Sequence, residues 1–223
     1  MNALLLVSVA SAGVFAPDQP GIGSSTGVVP RHQSMVEASM VLGGTLGYSP
    51  VLAVPGLQGR IGLKPDNLEL RLGAPGLVVP FDGPLMGTPL TAGVKWVGGD
   101  TIRWSVVPTL ALPLPGNGDP GGVFAADLEG NAAWDADSGD WGAWGMAHGG
   151  GGRDHTSVGG GGGVWYDPDG VGLYAHTGWE SSLMVGGGGW WILGPGLQAD
   201  IGVDVWPGVP ATVFVRAGVS VQR

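Results

Sequence analysis

The sequence predicts an all-β fold, a single antiparallel transmembrane β-barrel of about 10–12 strands, and three observations carry that expectation. Apolar and polar residues alternate with period two along most of the chain. Clusters of glycine, proline and aspartate separate the alternating runs. The composition is apolar for a protein that must cover itself with charge, with 12% charged residues and a mean hydropathy of +0.25.

Membrane helices do not explain that apolarity, because 46 Gly and 18 Pro among 223 residues would break them. Residues 181–199 are uncharged over about the length of a spanning helix, yet they contain "GGGG" at 186–189 and run into "GPG" at 194–196. Two strands and a turn fit that window better.

The chain opens "MNALLLVSVASAGVFAPDQP". An apolar core at 4–9, with small residues at Ala10 and Ala12 or at Val14 and Ala16, predicts a signal peptide over 1–16, cleaved after residue 12 or 16. Residues 17–33 form a polar segment, read either as a partial plug of the lumen or as a periplasmic tail. The barrel is assigned to 34–223.

Along that stretch Val36, Ala38, Met40 and Leu42 alternate with Glu37 and Ser39. Leu57 and Ile61 flank Gln58 and Arg60, and Leu68, Leu70 and Leu72 flank Glu69 and Arg71. Ala92, Val94 and Trp96 oppose Lys95; Ile102, Trp104 and Val106 oppose Arg103 and Ser105; Ala126, Leu128 and Ala132 oppose Asp127, Glu129 and Asn131. Leu173, Ala175 and Trp179 oppose Tyr174 and His176, Ile201, Val203 and Val205 oppose Asp200 and Asp204, and Val215 and Ala217 flank Arg216. Between the runs, "GGD" at 98–100, "PGNGDPGG" at 115–122, "DADSGD" at 135–140, "GRD" at 152–154 and "DPDG" at 167–170 have hairpin-loop composition. Runs of roughly ten residues suit tilted strands crossing a bilayer.

A soluble sandwich alternates as well, so the placement of charge and of tryptophan decides between them. Arg60, Glu69, Arg71, Lys95, Arg103, Asp127, Glu129, His176, Asp200, Asp204 and Arg216 all fall on the polar faces and are the candidate lumen-lining and transport residues. Trp96, Trp104, Trp134, Trp141, Trp165, Trp179 and Trp206 stand at or near strand ends, where an aromatic girdle at the membrane interface belongs.

Net charge is −9 without any basic cluster, which excludes an electrostatic nucleic-acid surface. The absence of cysteine excludes disulfides, thiolate catalysis and cysteine-held zinc. The glycine runs at 149–152, 159–163 and 186–189 lack the Lys-Ser/Thr of a phosphate loop, and the G-x-G-x-x-G at 116–121 lies in a hairpin loop with no following helix. Glycine in barrel strands instead permits curvature and leaves room for large neighbours, while 149–152 also reads as an extracellular loop.

Several stretches carry a family resemblance: "PDQPGIGSSTGVVPRHQSMVEASM" (17–40), "DNLELRLGAPGL" (66–77), "TLALPLPGNGDP" (109–120), "GLQADIGVDV" (196–205) and "FVRAGVSVQ" (214–222). Over nearly the whole mature chain these resemble the outer-membrane transporters grouped as the phenol-degradation meta-pathway family. The resemblance implies a porin-like monomeric barrel that passes or binds small organic compounds, aromatic ones among them. The chain ends "VSVQR", with Arg223 in place of the terminal aromatic common in barrels, so Phe214 or Val221 has to serve as the assembly signal.

No enzyme is expected. There is no G-x-S-x-G elbow, and Asp154, His155 and Ser157 are neighbours only in a loop. "DADSGD" places Gly139 at a ligand position and lacks the distal Glu of a calcium loop, so no metal site and no cofactor is expected. The expected partners are outer-membrane lipid, a small organic solute and the barrel-assembly machinery, with no nucleic acid. The expected function is passive transport across the outer membrane. Two other readings stay open at this point: an anchoring barrel with a closed lumen, and a secreted soluble β-sandwich that binds a ligand.

Overall fold

The computed structural model describes residues 28–112, 124–136, 140–152, 156–168, 171–180 and 182–223. The signal-peptide assignment, most of the 17–33 segment, the G-x-G-x-x-G run and the Asp154–His155 pair lie outside the described residues.

Strands β1 (Ser34–Thr45), β2 (Val51–Gly62), β3 (Leu68–Ala74), β4 (Leu77–Pro80), β5 (Met86–Gly87), β6 (Leu90–Gly98) and β7 (Ile102–Leu112) make up the first half. The second half comprises β8 (Ala125–Asp135), β9 (Trp141–Gly152), β10 (Thr156–Tyr166), β11 (Val171–Glu180), β12 (Ser182–Gly194), β13 (Leu197–Trp206) and β14 (Thr212–Gln222). All pairings between these strands are antiparallel between sequence neighbours, apart from the closing pair β1–β14 and the β2–β4 and β3–β6 contacts around the short β4–β5 hairpin. Because β1 pairs with both β2 and β14, the sheet closes on itself. Twelve strands form the barrel, within the range that the sequence predicts.

Closure matters physically, since a membrane offers no water to an open sheet edge. The seam is completed at the termini, where the Ser34 N–H donates to the Arg223 carbonyl and the Arg223 N–H to that of Ser34, both at 2.8 Å. Among the turns that use glycine in the left-handed region are Gly99 (φ 86°) between β6 and β7 and Gly196 (φ 70°) between β12 and β13. These fall in the "GGD" and "GPG" punctuation. β2 pairs with β3 along its second half and with β4 along its first, and the register against β1 shifts between Ser39 and Val41. The β4–β5 hairpin therefore prolongs the wall at the end opposite the termini.

Polarity is inverted relative to a soluble domain. Leu128 is 54% exposed and Leu173 63%, whereas Glu69 and Lys95 are 0% exposed. Strand parity explains it: residues alternate between an apolar outer face and an inner face that carries the charge. A soluble sandwich would bury the leucines and expose the charges.

Aromatic side chains gather on the outer face near the two ends. Trp96 and Trp104 flank the β6–β7 turn, and Trp134 and Trp141 the β8–β9 turn, each pair packed edge to face at 6.0 and 5.0 Å. Tyr166 and Trp191 are exposed at that same end, where Ser34 meets Arg223, while Tyr48, Phe81, Phe124 and Trp179 are exposed at the other.

Candidate functional site: the barrel lumen

Pairing register places all eleven candidate lining residues on the inner face, together with Glu37, Asp135, Trp144, Met146, His148, Tyr174, Glu180 and Trp190, which the sequence reading did not single out as lining. The lumen is built from two unlike walls.

One wall is an ion-pair cluster on β1, β2, β3 and β6. Arg60 and Arg71 sit directly opposite each other in register, a repulsive arrangement on its own. Glu69, two residues before Arg71, resolves it. Its carboxylate accepts from Arg60 Nε at 2.7 Å and Nη2 at 2.8 Å, and from Arg71 Nε at 2.9 Å. Arg60 Nη1 donates to Glu37 Oε1 at 2.9 Å, and Lys95 faces Glu69 across the β3–β6 pair. All five side chains are buried. Charges so placed are tolerable only because each has partners. Glu69 Oε2 also accepts the backbone N–H of Val29 at 2.8 Å, so the chain just before β1 turns inward and buries Val29 against this wall.

The other wall, on β9 to β14, combines aromatic rings with glycine. His176 Nε2 lies 2.8 Å from Asp204 Oδ1, and Arg216 Nε lies 2.9 Å from Asp204 Oδ2. Arg216 Nη2 donates to the Tyr174 hydroxyl at 3.1 Å. The Tyr174 ring stacks on His176 with centroids 5.6 Å apart and 10° between planes, and Trp144 approaches His176 from the other side at 6.3 Å. Trp190 donates its indole N–H to Asp167 at 2.9 Å. The glycines make this wall possible. A Cβ at Gly172 would run into the Trp190 ring, one at Gly186 into the His176–Asp204 pair, and one at Gly202 into the Tyr174 hydroxyl. The glycine runs are thus flat wall on which neighbouring side chains lie.

Between the walls, Arg103 pairs with Asp135, and Asp127, 3.7 Å from His148 Nδ1, is the more open of that pair with 41% of its side chain exposed. With Glu37, Asp135 and Glu180 added, carboxylates outnumber cations on the inner face. Among the described residues no group of three or more His, Asp or Glu side chains is arranged to hold a metal ion.

The tryptophans divide. Trp96, Trp104, Trp134, Trp141 and Trp179 are on the outer face. Trp165 and Trp206, expected at the membrane interface, are on the inner face: the Trp165 ring covers Gly142, and Trp206 meets Phe214 edge-on at 5.5 Å. Nearness to a strand end fixes depth, but parity fixes the face, and Trp165 shares parity with Gly163, which pairs with His176. Alternation could not flag Trp144, because both faces of β9 carry apolar or glycine residues around it, Ala143 and Gly145 on one and Gly142 and Met146 on the other, and leave no period to read.

A closed antiparallel barrel with an apolar outer face and a charged, aromatic inner face is a membrane-spanning barrel of the outer-membrane type, with the fold of channels and porins. No family model matches the chain, and no curated protein matches it. Among solved structures, an outer-membrane channel of the COG4313 group from Pseudomonas putida F1 superposes with a TM-score of 0.68 at 10% identity, covering 91% of this chain and all of that one. The KdgM porin in complex with disordered oligogalacturonate gives 0.57 at 7% identity, covering 85% and 98%. The translocator domain of the autotransporter NalP from Neisseria meningitidis gives 0.53 at 12%, covering 98% and 94%. At these identities the likeness concerns the fold.

Proposed function

We propose that this barrel is a passive route across the outer membrane for small organic solutes, aromatic ones among them. The observation that carries the reading is the asymmetry of the lumen: a ring-bearing, glycine-floored wall faces a wall of mutually neutralised charge. Rings offer stacking surface to flat solutes, and the ion pairs keep the opposite side polar without a large field of one sign. The resemblance to the phenol-degradation meta-pathway transporters points the same way.

In this reading residues 1–16 are a signal peptide and 17–33 a partial plug, an idea supported by Val29, whose N–H is anchored to Glu69 inside the barrel. The apolar outer face meets outer-membrane lipid, and insertion requires the barrel-assembly machinery. A second reading, an anchoring barrel that conducts nothing, is favoured by the tight burial of Glu37, Arg60, Glu69 and Lys95. Uptake separates the two. Liposomes containing the full chain should take up a small uncharged aromatic that the bilayer itself excludes, such as arbutin, faster than protein-free liposomes, whereas equal rates would leave the anchoring barrel.

A further inference from the structure

We propose that the inner wall around Gly163 is a binding subsite for a small neutral solute bearing a hydroxyl group on a flat apolar body. The inference rests on the reading of the lumen as a solute path and names what the path selects.

The register of β9, β10 and β11 sets Trp144, Gly163 and His176 side by side, with Trp165 and Tyr174 paired two positions away. Three buried nitrogens here have no hydrogen-bond partner among the described residues: Trp144 Nε1, Trp165 Nε1 and His176 Nδ1. Unmatched buried polar groups are costly, and Trp144 and His176, whose rings are 6.3 Å apart on either side of Gly163, call for a common partner, with Trp165 farther along, against Gly142.

The chemistry of the three defines that partner. Asp204, ion-paired with Arg216, is an acceptor, so the proton between it and His176 belongs on Nε2. With Nε2 carrying the only ring proton, the state that the subsite requires, His176 presents a lone pair at Nδ1, while both indoles present N–H donors. A hydroxyl satisfies such a set, donating to Nδ1 and accepting from an indole. A methyl ether has no proton for Nδ1, an ammonium cannot accept from the indoles, and a carboxylate would meet the Nδ1 lone pair beside Asp204. The rest of the ligand is constrained by shape. Gly163 puts no side chain on the floor, and the Trp144, His176 and Tyr174 rings border it. Met146 lies beyond Trp144 on the same face of β9 and is only half-buried, a flexible neighbour able to move aside.

The test uses the full chain, folded in detergent and checked by heat-shifted gel mobility, with titration calorimetry of 4-ethylphenol and its methyl ether, 4-ethylanisole. The phenol should bind about fivefold to tenfold more tightly, the worth of one or two neutral hydrogen bonds. His176→Phe removes the acceptor that only the phenol can use, and should pull that ratio toward one. Trp144→Phe keeps a ring and removes an N–H that either oxygen can accept, so it should weaken both ligands severalfold and leave the ratio in place, whereas Trp206→Phe, packed against Phe214, should change neither. A ratio of one in the unaltered protein, a ratio that survives His176→Phe in folded protein, or affinities for both ligands that ignore Trp144→Phe, overturns the subsite. Solute uptake without hydroxyl preference would sink the subsite and leave the channel. A hydroxyl preference without uptake would retain the subsite and sink the transport reading.

Discussion

Glu69 is the residue on which the most interactions converge, since one carboxylate neutralises two opposed guanidiniums and receives the Val29 amide. Removing it takes away the carboxylate that lies between Arg60 and Arg71 in a buried wall, leaving Arg60 its Glu37 partner. Glu69→Ala should lower stability by about 3–5 kcal/mol in urea unfolding followed in micelles, the range for breaking a buried ion pair from one side. Gly186→Ala tests the opposite wall. Its methyl would press on the His176–Asp204 pair, so the same assay should show a loss of ~1–3 kcal/mol, typical of overpacking. Period-two alternation made Arg60, Glu69, Arg71 and Lys95 legible as one polar face. Their mutual contacts were not legible, because they depend on the register between strands far more than on the order of residues within one.

At the scale of elements, β9 and β10 show where the pattern fails. A stretch with glycine on both faces has no alternation, so residues 149–152 read equally as loop and as wall; the structure places them in β9, paired with β8 and, through Gly149, Gly150 and Gly151, with β10. The tryptophans fail differently: strand ends were legible for both β10 and β13, glycine hid the face of Trp165, and Trp206 shares the parity of Asp204, so its face was legible although its nearness to the strand end pointed outward. Brominated lipid measures the face directly. Replacing outward Trp134 or Trp141 by Phe should reduce fluorescence quenching by brominated acyl chains, while replacing inward Trp165 or Trp206 should leave it nearly unchanged; equal effects would contradict the parity. The segment before β1 is also an element-scale matter. Glu69→Gln weakens the anchor of Val29 while keeping a neutral acceptor, so it should raise uptake of small solutes by liposomes if residues 17–33 restrict the lumen.

For the whole molecule, the inverted polarity of twelve closed strands accounts for the apolar composition that the sequence shows, and period-two alternation was enough to anticipate it. The division of the lumen into an ion-paired wall and an aromatic wall was hidden, since it arises from which strands become neighbours around the ring. The central claim is that this lumen conducts, and single-channel recording of the purified full chain in a planar bilayer tests it most directly. The account predicts discrete conductance steps with a mild cation preference, because carboxylates outnumber cations on the inner face, and a shift toward anions in Asp127→Lys, where the side chain is open to the lumen. A silent bilayer from protein that shows heat-shifted mobility, or steps whose ion preference ignores Asp127→Lys, would contradict it.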